Sequence, residues 1–134
     1  MADYKIGEGN MIGALPAEFG DNTVLSQKII KASADVKKGQ VVMISGDMTV
    51  APTTAASNKV LGVAMFDAKS GKPVSVECEG LFKLTASAAI TAGAQVESAA
   101  DGYVATVGDT PVKVIGIALN TAAKDGEVFV KFSI

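Results

Sequence analysis

Histidine and tryptophan are both missing from these 134 residues, and cysteine occurs once. Without histidine the chain lacks the commonest general base and the commonest metal ligand, so most hydrolase constellations are excluded. A single cysteine forbids an internal disulfide and a thiolate zinc cage within one chain. Aromatic residues make up only 5% of the sequence, with Tyr4 and Tyr103 the two tyrosines. Sugar sites that stack a ring on an exposed Trp or Tyr therefore have little to build on. The formal net charge is −2 and the pI is about 5.0, which gives no general attraction to phosphate backbones or anionic lipid. Neither nucleic acid nor a membrane is an expected partner. No basic segment leads into an apolar one at the N-terminus, and no run of about 18 apolar residues occurs, so a soluble protein made in the cytosol is expected. No cofactor and no catalytic residue is expected, and the chain does not read as an enzyme.

What the chain has in abundance is Ala, Val, Gly and Thr, a composition suited to short, closely packed strands. It also nearly repeats itself. Residues 32–77 laid on residues 86–131, a shift of 54 positions without gaps, match at 15 of 46 positions. Among these are Ala32/Ala86, Gly39/Gly93, Val42/Val96, Val50/Val104, Gly62/Gly116, Ala64/Ala118, Val74/Val128 and Val76/Val130. Conservative pairs such as Val36/Ile90, Leu61/Ile115 and Val63/Ile117 extend the match, which reads as an internal duplication.

Each unit carries the same punctuation. A glycine (Gly39 or Gly93) precedes a short strand, "QVVMIS" or "AQVES", and a turn follows at Gly46-Asp47 or Asp101-Gly102. Asp-Gly between short β runs predicts a hairpin whose type I′ turn takes positive φ at both central residues. A returning strand follows ("MTVAP", "YVATV"), then a polar loop, then an apolar run ("KVLGVAM", "KVIGIAL"), and an alternating strand closes the unit ("KPVSVECE", "GEVFVKFS"). One unit of about 54 residues buries too little surface to stand alone, so the two are expected to share one core. The expected fold is all-β: a pseudo-symmetric β-barrel or β-sandwich of eight to ten short strands. It forms one domain over residues 23–134, with an N-terminal arm over residues 1–22.

Several residues could signal chemistry, and each has a plainer reading. Gly62 and Gly116 lie mid-strand, where glycine marks a bend or a close backbone approach; a phosphate cradle would need several glycines opening a helix. Asp47 and Asp101 could be paired catalytic carboxylates, but turn positions favour Asp for local hydrogen bonding. In "PVSVECEG" the alternation puts Val74, Val76 and Cys78 on one face, making Cys78 a small buried hydrophobe. In the last strand Val128, Val130, Phe132 and Ile134 share the inner face, which leaves Phe129 outside with Glu127 and Lys131.

The opening segment, "MADYKIGEGNMIGALPAEFGDN", stands outside the repeat. It has four glycines and a proline, and its large apolar residues Tyr4, Ile6, Met11, Ile12, Leu15 and Phe19 follow no helix or strand period. A solvated linker would not carry so many, so the segment reads as an arm that orders against its own barrel, a neighbouring subunit or a partner. Together with Phe129 these residues are the candidate interface.

The ordered motifs at Val36–Val42, Lys59–Met65, Gly71–Thr85, Ile90–Val96 and Val114–Ile134, "EGLFKLTASAAITAGAQV" above all, give the chain a resemblance to the capsid cement or head-decoration proteins of tailed bacteriophages. It covers about residues 24–134, and the arm matches less well. The resemblance implies a β-rich accessory protein on the outer surface of the mature head, made in the host cytoplasm. It also implies trimers at three-fold and quasi-three-fold positions of the major capsid protein lattice.

Two other readings compete. "DVKKGQVVMISGD" is similar to the Val-x-x-Gly turns of lipoyl and biotinyl carriers, but neither hairpin tip ("SGDMT", "AADGY") has the lysine such carriers modify. A small β-barrel enzyme, sugar-binding or other ligand-binding domain is the remaining alternative.

Overall fold

In a computed structural model of the chain, residues 30–134 are described. They hold ten strands: β1 (Lys31–Ala32), β2 (Val41–Gly46), β3 (Thr49–Pro52), β4 (Val60–Ala64), β5 (Val76–Glu77), β6 (Gly80–Thr85), β7 (Gln95–Ser98), β8 (Val104–Thr106), β9 (Gly116–Ala118) and β10 (Glu127–Phe132). A single 3₁₀ turn spans Ala100–Gly102. The strands form two five-stranded sheets, ordered β1-β3-β2-β4-β5 and β6-β10-β9-β7-β8, and one of them curls into a half-barrel. Of the barrel and the sandwich, the two-sheet arrangement is the one found. Pairing is antiparallel, except that β1 runs parallel to β3 and the bridge Ala86–Val104, 54 residues on from Ala32–Val50, is also parallel.

The order β3-β2-β4-β5 in one sheet is the order β8-β7-β9-β10 in the other. The bridge Val36–Ala68 has a counterpart 54 residues on in Ile90–Ala122. Backbone bonds recur at the same offset: Gly39 N–H to Ala64 O and Gly93 N–H to Ala118 O, Met65 N–H to Ser75 O and Leu119 N–H to Phe129 O, Thr53 N–H to Val41 O and Val107 N–H to Gln95 O. One side-chain role recurs with different chemistry. The Asp67 carboxylate accepts from Lys38 N–H at 2.8 Å, and the Thr121 hydroxyl accepts from Ala92 N–H at 3.1 Å.

Both mid-strand glycines mark close approaches. A Cβ on Gly62 would fall on the Glu77 carbonyl oxygen, and one on Gly116 would fall on the Lys131 carbonyl oxygen. The hairpin turns differ from each other. Asp101 and Gly102 take φ of 62° and 71°, the left-handed pair that Asp-Gly predicts. In the first unit's hairpin turn only Met48 has positive φ (53°), and a bulge between Ile44 and Gly46 accompanies it. The expected Gly46-Asp47 type I′ turn is therefore absent.

The single expected core is two clusters. The smaller belongs to the first unit: Ala32, Val36, Val42, Val50, Ala64 and Val74. The larger contains their positional counterparts Ala86, Ile90, Val96, Val104, Ala118 and Val128, and also Val41, Val60 and Val63 from the first unit. Adjacent residues on β2 thus point into different cores, Val42 into its own unit and Val41 into the other. The sheets stack so that the far face of the first lies on the inner face of the second.

Hydrogen bonds pin this junction. Ser98, buried on β7, accepts from Ser57 N–H and donates to Ala55 O, each at 2.9 Å, and the Thr53 hydroxyl donates to Ala99 O at 2.7 Å. Gly102 N–H reaches Thr53 O, and the Gln40 amide donates to Asp101 O at 3.0 Å. Ser98→Ala would take away the one side chain that bonds both Ser57 N–H and Ala55 O, two partly buried contacts worth about 1 kcal/mol each, so it is expected to destabilise the fold by about 2 kcal/mol in urea unfolding. A loss indistinguishable from zero would mean that Ser98 does not clamp the units.

Candidate functional site

Strand β10 alternates as the sequence predicts at three positions: Val128, Val130 and Phe132 are buried, and Phe132 meets Phe82 edge-on with ring centroids 5.9 Å apart. Phe129 points away and is 47% exposed. Ile134, expected on the inner face, is also exposed, because β10 ends at Phe132 and the alternation ends with it.

Phe129 does not stand alone. Register places it opposite Lys83 on β6, while Ile117, Lys131 and Leu81 form the next row on the same face. Leu119 N–H donates to Phe129 O, and Phe129 N–H donates to the Asn120 side-chain oxygen at 2.7 Å, so a polar clasp orders this end of the strand. Leu81, Ile117, Leu119 and Phe129 are all exposed, forming an apolar surface interrupted by Lys83 and Lys131. Lys83 also pairs with Glu127 at 3.4 Å, an exposed contact of little energetic weight.

Of these residues, only Phe129 is singled out by sequence. Ile117 and Leu119 sit in "KVIGIAL", an unbroken apolar run that reads as buried on both faces. Leu81 belongs to β6, which lies between the repeated segments and outside the strands that the repeat predicts. The alternation of Phe82 and Leu84 with Leu81 and Lys83 is the signal that marks it. Tyr4, Ile6, Met11, Ile12, Leu15 and Phe19 lie outside the described residues.

Cys78 corrects an expectation. Strand β5 is only two residues long, so the period-2 pattern stops at Glu77 and Cys78 is exposed instead of buried. Its thiol is held above the ordinary range, first by partial desolvation and then by the Glu77 and Glu79 carboxylates. That reduces the thiolate available at neutral pH and makes it a poor nucleophile.

Asp35 and Asp67 each accept from a backbone N–H of a segment distant in sequence. Asp35 accepts from Ser70 N–H at 3.0 Å and lies 3.6 Å from the Lys69 ammonium, and these two contacts lower its pKa, the backbone bond most. Among the described residues no group of His, Cys, Asp and Glu could hold a metal ion, and no helix is long and apolar enough to cross a membrane. One groove of about 460 Å³ between the units is lined by Lys38, Gly39, Val63, Ala64, Met65, Leu81, Phe82 and Lys83, and a second of the same size is lined by Asp35, Gln40, Met43, Thr53, Thr54 and Asp101. The exposed apolar face of Leu81, Ile117, Leu119 and Phe129 is a surface suited to contact.

Comparison with known proteins agrees with a structural role. A search of curated proteins returned no match. Among solved structures, the chain is similar to the N base of the head fiber gp8.5 of bacteriophage phi29. The TM-score is 0.59 at 19% identity, covering 77% of this chain and 89% of that one, a likeness of fold. The family model for phage cement proteins matches residues 22–134. The chain belongs to the phage cement protein family.

Proposed function

We propose that this chain is a non-enzymatic virion protein that binds the outer surface of the expanded phage capsid and stabilises it. The family match over residues 22–134 carries the reading. The exposed apolar face on β9 and β10 supports a role in assembly, through contact with the capsid or with neighbouring copies. Packed genome presses on a shell, and strain concentrates where capsid subunits meet. A protein that binds only the expanded lattice stabilises that state by mass action, since a ligand selecting one conformation shifts the equilibrium toward it.

In this reading the partner is the major capsid protein. Copies act as homotrimers at three-fold and quasi-three-fold positions, where cyclic symmetry uses one modest patch repeatedly. The hydrogen bonds that recur 54 residues apart support treating the domain as two copies of one unit. Residues 1–22 serve as an arm that adds a strand to an exposed capsid edge, with Ile6, Met11, Ile12 and Leu15 filling side pockets.

The test is co-sedimentation of the purified chain with expanded, undecorated heads, using unexpanded procapsids as the comparison. Saturable binding to expanded heads alone, at roughly three copies per three-fold position, is the expected result. Absence of binding to either particle would end the cement reading. Unchanged binding after deletion of residues 1–20 would end the role of the arm.

A further inference from the structure

The two units are alike in sequence and unlike in what covers them. On the first sheet, Val41 and Val63 face away from their own unit, and Val63 is 2% exposed because the second sheet lies over it. Their counterparts 54 residues on are Gln95 and Ile117, paired in the same register, and Ile117 is 44% exposed. The opposite faces show the reverse. Leu84, Ile115 and Val130 on the inner side of the second sheet are fully buried beneath the first unit, whereas their counterparts Ile30, Leu61 and Val76 are only half-buried. At the hairpin, buried Ser98 and Gly102 dock on the first unit, while their counterparts Ile44 and Met48 are exposed.

Stacking inside the chain is therefore head-to-tail. The far face of unit one meets the inner side of unit two, and one uncovered copy of each surface remains among the described residues. We propose that these two leftover surfaces belong together: the face carrying Ile117 and Leu119 of one chain docks on the Ile30, Ile44, Met48, Leu61 and Val76 side of a second copy, repeating between chains the contact made within each. The interface inside the chain is the template, since residues at the same offsets already form it once, with Val63/Ile117, Leu61/Ile115 and Val76/Val130 alike in type. A contact between unlike surfaces continues from copy to copy and closes into a ring when the rotation permits. This deepens the homo-oligomer reading above and does not depend on the capsid.

The template also fixes a register. Thr53 meets Ala99 inside the chain, so Val107 of one copy is expected to meet Ser45 of the next. The test uses the full chain with Cys78→Ser throughout. Under mild oxidation the double variant Ser45→Cys, Val107→Cys should form covalent ladders of two or more chains on a denaturing gel, and each single variant should stay at one chain. In parallel, light scattering of the full chain should give a multiple of 13.6 kDa. Ile117→Asp, at a surface position that leaves the fold intact by circular dichroism, should weaken self-association about 100-fold or more by placing a charged, hydrated group where the contact is apolar.

A monomeric full chain at tens of micromolar overturns the proposal and points to residues 1–29 or a capsid protein as what covers these surfaces. An oligomer that survives Ile117→Asp and gives no ladder from the cysteine pair also overturns it, because its copies then meet elsewhere. Head binding plays no part in either measurement, so failure of the capsid reading leaves the result standing.

Discussion

Gly116→Ala is expected to destabilise the protein by about 3 kcal/mol, the upper end of ordinary overpacking, and Gly62→Ala by a similar amount. At this chain length the loss corresponds to a fall in melting temperature of roughly 10 °C. The physical cause is the same at both places. A methyl group on Gly116 would lie 2.7 Å from the Val130 Cγ1 atom and fall on the Lys131 carbonyl oxygen; on Gly62 it would lie 2.8 Å from the Val76 Cγ1 atom and fall on the Glu77 carbonyl oxygen. A flexible side-chain tip could swing aside, but a carbonyl inside a sheet moves only if the strand moves. Such a shift would act on the pairing of β4 with β5, or of β9 with β10, and so on the face that carries Ile117 and Phe129. Gly108→Ala is the control: no heavy atom lies within 4 Å of its added methyl, so it should change stability by less than about 1 kcal/mol. Were all three variants to melt together, the close approach at the two glycines would be wrong.

These glycines were also the most legible part of the fold. A residue that weakens a strand, recurring 54 positions later inside matching apolar runs, had to have a packing reason, and backbone against backbone is that reason. The Asp-Gly turn of the second unit and the inward set Val128, Val130 and Phe132 followed equally directly from φ requirements and period-2 alternation. The errors have a shared cause: alternation says which side of a strand a residue faces, and not where the strand stops. Cys78 and Ile134 both lie just past a strand end, and both are exposed against expectation. Strand β6 falls between the repeated segments, so the repeat does not predict it.

The candidate site was harder to read than the fold. Val63 and Ile117 are interchangeable in chemistry and equivalent in position, yet one is buried and the other open. The difference comes from how the units stack, a fact of tertiary arrangement that two near-identical segments cannot encode separately. Phe129 could be picked out because its neighbours on β10 alternate cleanly. Ile117 and Leu119 could not, since a continuous apolar run is the signature of a strand covered on both faces.

Ile117→Asp is expected to weaken binding to expanded heads by about 100-fold or more, although the proposed contact at Ile117 is with another copy of the chain and not with the capsid. The reasoning joins the two proposals. A cement protein that meets the lattice through several copies held together gains from effective concentration: once one copy is attached, the others bind as intramolecular events. Separating the copies leaves each capsid contact intact and removes that gain. The defect should therefore appear as faster dissociation and as a loss of the steep rise in occupancy. Saturating stoichiometry at very high protein concentration should be unchanged. Substitution of Phe66, an exposed aromatic residue outside the proposed contact, provides the comparison. If Phe66→Ser abolished head binding while the copies stayed together, Phe66 would belong to the capsid contact itself. If Ile117→Asp separated the copies and left head binding undiminished, single copies would suffice on the capsid, and the head-to-tail assembly would need another role.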